Sequence, residues 1–261
     1  MVKAVFFDIG GTLFNSDSVG SSKYVVAAKA VINYLKKHNI NLKVTPEKLA
    51  VDWKDGAHAF KKWSREKADN TDLRPDELVF KYLLKTQIKN LNDANKKKLV
   101  LLSNHVINTW KACGDVKMRP DVPKMLNDLT KSGYKLGVIS NTDSTNFVIY
   151  RLIDNNIYKY FPNNLIFMSC VCKKRKPAKD IFIVACEEAG VKPNEMVYVG
   201  DTISRDVAGS RNAGIKACVR INSSLTEKSD KGIKAGDDTP YVVKSLSELP
   251  AILKKINAAK K

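Results

Sequence analysis

Val2-Lys3-Ala4-Val5-Phe6-Phe7-Asp8-Ile9-Gly10-Gly11-Thr12-Leu13 opens the chain with an apolar run, 2–9, that carries a carboxylate near its end and closes on two glycines. An apolar run that does not alternate with polar residues is the pattern of a strand buried on both faces, as in a parallel sheet. The pattern returns at Lys135–Ser140, 165–169, 196–199 and 216–221, and Tyr241–Val243 reads as a short last strand. Amphipathic helices fill the gaps. The stretch 121–132 places Val122, Met125, Leu126 and Leu129 on one face, and 144–155 and Asp180–Ala189 are spaced alike. From about residue 116 the order is strand, helix, strand, helix, which predicts a doubly wound α/β domain.

Residues 17–115 read differently. Apolar residues recur at helical spacing over 24–38, 77–91 and 98–113, and Thr45-Pro46 is an N-cap followed by a first-turn proline. No strand pattern interrupts them. The expected organisation is therefore a core built from 1–16 and 116–261, with an all-helical insertion over 17–115. A segment at 223–238 reads as a loop excursion with no functional assignment.

Composition narrows the classes of function. The 261 residues are 44 % hydrophobic and 28 % charged, an ordinary globular balance, and no apolar run reaches the roughly 18 residues of a membrane span. The opening apolar run is too short for a signal-peptide core, so a cytoplasmic protein is expected. Five cysteines, an odd number without CxxC spacing, fit reduced thiols. The formal charge of +18 comes from 45 basic and 27 acidic residues, but only eight of the basic ones are Arg and none form an arm. Arg is the better reader of bases and phosphates. A solvated lysine-rich surface is expected, and a nucleic-acid partner is not.

In an open α/β sheet, ligands bind beyond the carboxyl ends of the strands. The first strand delivers Asp8, with Gly10, Gly11 and Thr12 behind it; the second delivers Ser140 and Asn141; the fourth delivers Asp201, with Asp206 five residues on. Lys176-Pro177 precedes the helix near Asp180. Two to three carboxylates, a hydroxyl, loop amides and a lysine thus meet at one edge. Carboxylates suit a hard cation such as Mg²⁺. Positive charge and N–H donors suit a transferring phosphoryl group. A carboxylate can also attack phosphorus and split hydrolysis into two steps.

These residues resemble the motifs of the haloacid dehalogenase (HAD) superfamily, and its phosphatase branch above all. Phe6-Phe7-Asp8-Ile9-Gly10-Gly11-Thr12-Leu13 is similar to its nucleophile motif, Val138-Ile139-Ser140-Asn141 to the second, Lys176-Pro177 to the third, and Val199-Gly200-Asp201 with Asp206 to the fourth. The resemblance implies a Rossmann-like core with a type I helical cap and a Mg²⁺-dependent hydrolase of small phosphorylated, anionic substrates. It implies Asp8 as nucleophile and metal ligand, the Gly10 carbonyl and Asp201 as further ligands, and Asp206 in support. Ser140 and Lys176 would hold the phosphoryl oxygens, and Gly11 and Asn141 would contact substrate.

Gly10 departs from the family pattern, which usually has a second Asp there to protonate the leaving group, a role typically contributing about 10² to 10⁴-fold. Three readings stay open. One is a slow phosphatase, or one using Asp17, Asp143 or a cap residue as its acid. Another is dehalogenase or phosphonate chemistry. The third is a catalytically degenerate binding protein. His38, His58, His105, Trp53, Trp63 and Trp110 all fall in the insertion, and the tryptophans read as helix packing or as a wall facing substrate.

Overall fold

The computed structural model describes residues 1–15, 19–223, 230, 232–233 and 239–259. Six parallel strands form one sheet: β1 (Ala4–Phe7), β2 (Lys135–Ser140), β3 (Ile166–Met168), β4 (Met196–Gly200), β5 (Ala217–Ile221) and β6 (Tyr241–Val243), in the order β3-β2-β1-β4-β5-β6. Between β1 and β2 lie α1 (Tyr24–Lys37), α2 (Pro46–Glu66), α3 (Pro75–Leu78), α4 (Asp93–Lys111) and α5 (Val122–Lys131). Then α6 (Thr145–Asp154) follows β2, α7 (Ser169–Cys172) and α8 (Asp180–Ala189) follow β3, α9 (Ala208–Asn212) follows β4, and α10 (Leu249–Ala258) follows β6. This is the doubly wound architecture that the strand–helix alternation predicts.

The central strand shows why the opening run is apolar throughout. Successive side chains point to opposite faces. Val5 and Phe7 join a core with residues of α5, α6 and α10, while Ala4 and Phe6 join one with residues of α8. Neither Phe6 nor Phe7 keeps any exposed surface, and each such burial is worth about 1.5–3 kcal/mol. Gly137, paired with Phe6 across β2, makes room for its ring: a Cβ there would lie 2.1 Å from it.

Residues of α1, α2, the 75–83 stretch and α4 close on a third core, drawn from Val19 to Trp110. Thr45 caps α2 as expected, accepting from the Lys48 amide at 3.3 Å. The single helix expected over 77–91 is broken. The short α3 passes into a π-helical turn, Val79–Leu83, and the chain resumes as a 3₁₀ turn at Gln87–Asn90. The turn seats its Tyr82 carbonyl on Gly56 of α2, where a Cβ would be 2.2 Å away. Apolar spacing records the buried face but not that backbone contact. Helix α4 starts five residues before the expected 98, because Asn92 caps it by accepting from the Asn95 amide at 2.8 Å.

Candidate active site

The strand order β2-β1-β4 sets three polar strand ends side by side. Asp8 leaves β1 with its amide still bonded to the Val199 carbonyl at 2.9 Å. The chain then turns tightly. The amides of Thr12, Leu13 and Phe14 all reach the Ile9 carbonyl, and the Gly11 amide donates to the Phe14 carbonyl at 2.6 Å. Gly11 sits at φ +82°, and a Cβ on it would come within 2.2 Å of Asp201 Oδ2. Only glycine admits both that conformation and that carboxylate. Arg119 Nη2 donates to the Gly11 carbonyl at 2.8 Å and to the Asn222 carbonyl at 3.1 Å, joining the loops after β1 and β5.

Lys176 is the hub. It is 4 % exposed, and its ammonium donates to Asp8 Oδ1, Asp206 Oδ1 and the Tyr198 hydroxyl, each at 2.7 Å, and to the Ile139 carbonyl at 3.1 Å. An ammonium has three donors, so four acceptors around it share them. The Tyr198 hydroxyl in turn donates to the Ile139 carbonyl at 2.9 Å. Asn141 brackets the Lys176 backbone: its Oδ1 accepts from the Lys176 amide at 2.8 Å and its Nδ2 donates to the Lys176 carbonyl at 3.0 Å. Ser140 lies buried at the end of β2.

Asp206 is held from both sides. Its Oδ2 accepts from the Asp201 amide at 3.2 Å, the Thr202 amide at 2.9 Å and the Thr202 hydroxyl at 2.6 Å, while Oδ1 faces Lys176. Gly200 allows this closeness, since a Cβ there would lie 2.5 Å from Asp206. Ser223 donates to Asp201 Oδ2 at 2.5 Å. Asp230 accepts from the Ile203 amide at 2.6 Å and the Ser204 amide at 3.0 Å, anchoring the π-helical turn Ile203–Val207 that carries Asp206. Ser223 and Asp230 are described residues of the 223–238 excursion; 224–229, 231 and 234–238 lie outside the described residues.

Burial and charge divide the carboxylates. Burial raises Asp8 to about 6, against the pull of Lys176. Burial also raises Asp201 to about 7, with the charges of Asp206 and Asp8 adding to it. Asp206 pays the same burial penalty, but Lys176 and Arg205 overcome it and hold its carboxyl at about 2. Burial works against the Lys176 ammonium, yet Asp206 and Asp8 together raise its pKa above the usual lysine value. The centre thus keeps one firm ion pair, Lys176–Asp206, beside two carboxyls poised near neutrality. Oxygens of Asp8, Asp201 and Asp206 lie within 4.8 Å of one another. Three hard oxygen donors at that spacing, cradled by Gly11, suit a hard divalent cation.

Contacts from the helical segment reach this edge. Arg175 Nη1 donates to both oxygens of the buried Asp72 at 2.9 Å, the Asp72 amide donates to the Lys173 carbonyl at 3.0 Å, and the Arg175 amide to the Asn70 carbonyl at 2.9 Å. The stretch 70–72 therefore grips the loop that presents Lys176. Asp143 pairs with Lys111 of α4, and Asp17 lies outside the described residues. His38 packs on Tyr34, His105 faces Asn146, and Trp53 stacks on Trp110 at 4.5 Å. Local sequence pattern does not single out Tyr198, Arg119, the grip of Asn141 on Lys176 or the Asp72–Arg175 pair. The one available signal was Tyr198 itself, a phenol inside an otherwise apolar strand.

Comparison with known proteins gives a consistent result. The pattern of haloacid dehalogenase-like hydrolases matches residues 2–214. The glyceraldehyde 3-phosphate phosphatase of Methanothermobacter thermautotrophicus is 31 % identical over 255 residues, 97 % of this chain and 100 % of that protein. The N-acylneuraminate-9-phosphatase of Mus musculus is 43 % identical over 86 residues, 33 % of each chain. The crystal structure of 2-haloacid dehalogenase from Pseudomonas syringae pv. Tomato DC3000 matches with a TM-score of 0.67 at 23 % identity, over 98 % of this chain and 99 % of that one, a likeness of fold. Among the described residues no helix is long and apolar enough to cross a membrane.

Proposed function

The chain belongs to the haloacid dehalogenase-like hydrolases, and from that premise we propose that it is a Mg²⁺-dependent phosphatase that cleaves a small phosphomonoester through an aspartyl-phosphate on Asp8. The observation that carries this reading is the pinning of Asp8 Oδ1 by the buried Lys176 ammonium, beside Asp201 and Asp206 at the carboxyl ends of neighbouring strands. We read 1–16 and 116–261 as the catalytic core and 17–115 as a cap. Five free thiols, three of them buried, fit a cytoplasmic setting.

In this mechanism Lys176 fixes one oxygen of Asp8 and leaves the other to attack phosphorus. A bond forms between the free Asp8 oxygen and phosphorus as the bond from phosphorus to the ester oxygen breaks, and the departing alkoxide takes a proton from water, leaving hydroxide. Water then attacks the phosphorus of the aspartyl-phosphate and gives its proton to that hydroxide, the Asp8 oxygen–phosphorus bond breaks, inorganic phosphate leaves, and the Asp8 carboxylate is restored. Asp8, Asp201 and the Gly10 carbonyl would hold Mg²⁺, which when bound supplies positive charge opposite the phosphoryl oxygens. Asp206 orients Lys176 and the Asp201 backbone, Ser140 and Lys176 face the phosphoryl oxygens, and Asn141 and Gly11 set the loops around them. Burial of the Asp201–Asp206 pair in this position supports metal-assisted phosphorus chemistry over dehalogenation.

The test is phosphate release from a panel of phosphomonoesters, glyceraldehyde 3-phosphate among them, with Mg²⁺ or with EDTA. Release that needs Mg²⁺ is expected; no release from any ester, or release indifferent to EDTA, overturns the reading. Gly10→Asp is expected to raise turnover by roughly 10² to 10⁴-fold, the usual contribution of a general acid–base. The backbone allows it, since positive φ falls on Gly11 and not on Gly10. A variant no faster than wild type argues that another residue already fills the role.

The site also sets a pH dependence of stability. Asp8 at about 6 and Asp201 at about 7 stand above the unfolded carboxylate value. Their contribution is therefore full below about pH 4 and is lost as pH rises through 6 and 7. Metal binds the ionised forms. The rise in Tm on adding Mg²⁺ should thus be larger at pH 8 than at pH 5.5, as read by thermal denaturation; equal rises at both would contradict the assignment of these ligands.

A further inference from the structure

Where the helical segment meets Asp143 and Arg175 lies an open cavity of about 310 Å³, with Trp53, Phe60, Leu78, Ile107 and Trp110 on its apolar wall and Lys54, Lys61 and Lys111 also lining it. It falls at the lower end of the roughly 300–1,000 Å³ range of ligand pockets. Its aromatic walls are fixed. Trp53 and Trp110 stack at 4.5 Å and 7°, Phe60 packs edge-on to Tyr82 at 5.6 Å, and the three lining rings are at most 8 % exposed. Rings already locked in place lose little entropy when a ligand arrives.

The cavity leads to the phosphoryl site. Lys61, Ser64 and Arg175 line it and also line a second cavity of about 610 Å³ that reaches Asn141, Lys176 and Arg205. The second cavity has no acidic side chain among its lining residues. A molecule with an anionic end toward Lys176 and an apolar body toward Trp53 and Trp110 would match both. A three-carbon alcohol would leave the aromatic cavity unfilled.

Resting on the phosphatase reading, we propose that the preferred substrate is a phosphomonoester whose alcohol part is a ring-bearing, largely apolar body. That body lies against Trp53, Phe60 and Trp110, and the phosphoryl group reaches Asp8 past Lys61, Ser64 and Arg175. Ala57, which also lines the cavity and is only partly buried, is the position from which a larger side chain would fill it.

The experiment compares 2-(1-naphthyl)ethyl phosphate with ethyl phosphate, two primary alkyl esters with similar leaving groups. For wild type, kcat/KM is expected to be at least roughly tenfold higher for the naphthyl ester. In Ala57→Phe that ratio should fall toward one, and Ala57→Leu, a gentler filling, should lower it part of the way. A wild-type ratio near one, or a ratio that survives both fillings in folded protein, overturns the proposal. Calorimetric binding of both esters to Asp8→Asn separates the two claims. Tighter binding of the naphthyl ester, by about tenfold and lost on filling, supports the pocket even where wild type hydrolyses neither ester, and in that case the phosphatase reading alone fails. Equal binding of the two esters sinks the pocket whatever the turnover.

Discussion

Asp8→Asn is expected to abolish Mg²⁺-dependent phosphate release, a loss of at least roughly 10³-fold, while the protein stays folded. Enzymes accelerate their reactions by about 10⁶-fold or more, and removing a nucleophile takes away the step on which the rest depends. Asparagine has nearly the shape of aspartate, and its amide oxygen still accepts from Lys176. It carries no charge, so the burial that raises Asp8 to about 6 no longer penalises the metal-free fold at neutral pH. The variant should therefore match or exceed the wild-type Tm without metal at pH 8 and gain less on adding Mg²⁺. Phosphate release and thermal denaturation on the same preparation check both halves. Residual activity within tenfold of wild type would move the nucleophile elsewhere.

Lys176→Met is expected to produce the largest loss of stability of any single change at the site. Methionine fits the volume but leaves Asp8 and Asp206 facing each other across a space with no cation. Removing one partner of a buried ion pair typically costs about 3–5 kcal/mol, because the other charge is left uncompensated. At about 2–4 °C per kcal/mol for chains of comparable size, the Tm should fall by roughly 6–20 °C at pH 8. The loss should shrink at pH 5, where the stranded carboxyls can escape the penalty by taking protons. Adding Asp206→Asn should restore part of it. A Tm within about 1 °C of wild type at pH 8 would show that Lys176 does not hold the centre together.

Residues at the ends of strands were legible beforehand, and residues that act through distant partners were not. Asp8 and Asp201 stand where an apolar run stops, so their place at the sheet edge follows from local pattern. Tyr198 sits inside such a run, and nothing nearby in the chain shows that its hydroxyl meets Lys176, 22 residues away. Asn141 could be placed at the edge, but not its grip on the Lys176 backbone 35 residues on. The 77–91 stretch departs from one continuous helix for the same reason: its apolar spacing records which side is buried, while the π-helical turn answers to Gly56 on another helix.

Local sequence pattern was enough for the parallel α/β sheet, for the run of helices between its first two strands and for placing Asp8, Ser140 and Asp201 at strand ends. Those follow from periodicity and strand endings, which are written in neighbouring residues. The bridging of Asp8 and Asp206 by Lys176, the lowered Asp206 beside the raised Asp8 and Asp201, and the meeting of Trp53 and Trp110 on one cavity wall belong to the tertiary structure. Each of these depends on burial and Coulomb interaction summed over groups far apart in the chain, and no stretch of sequence contains that sum.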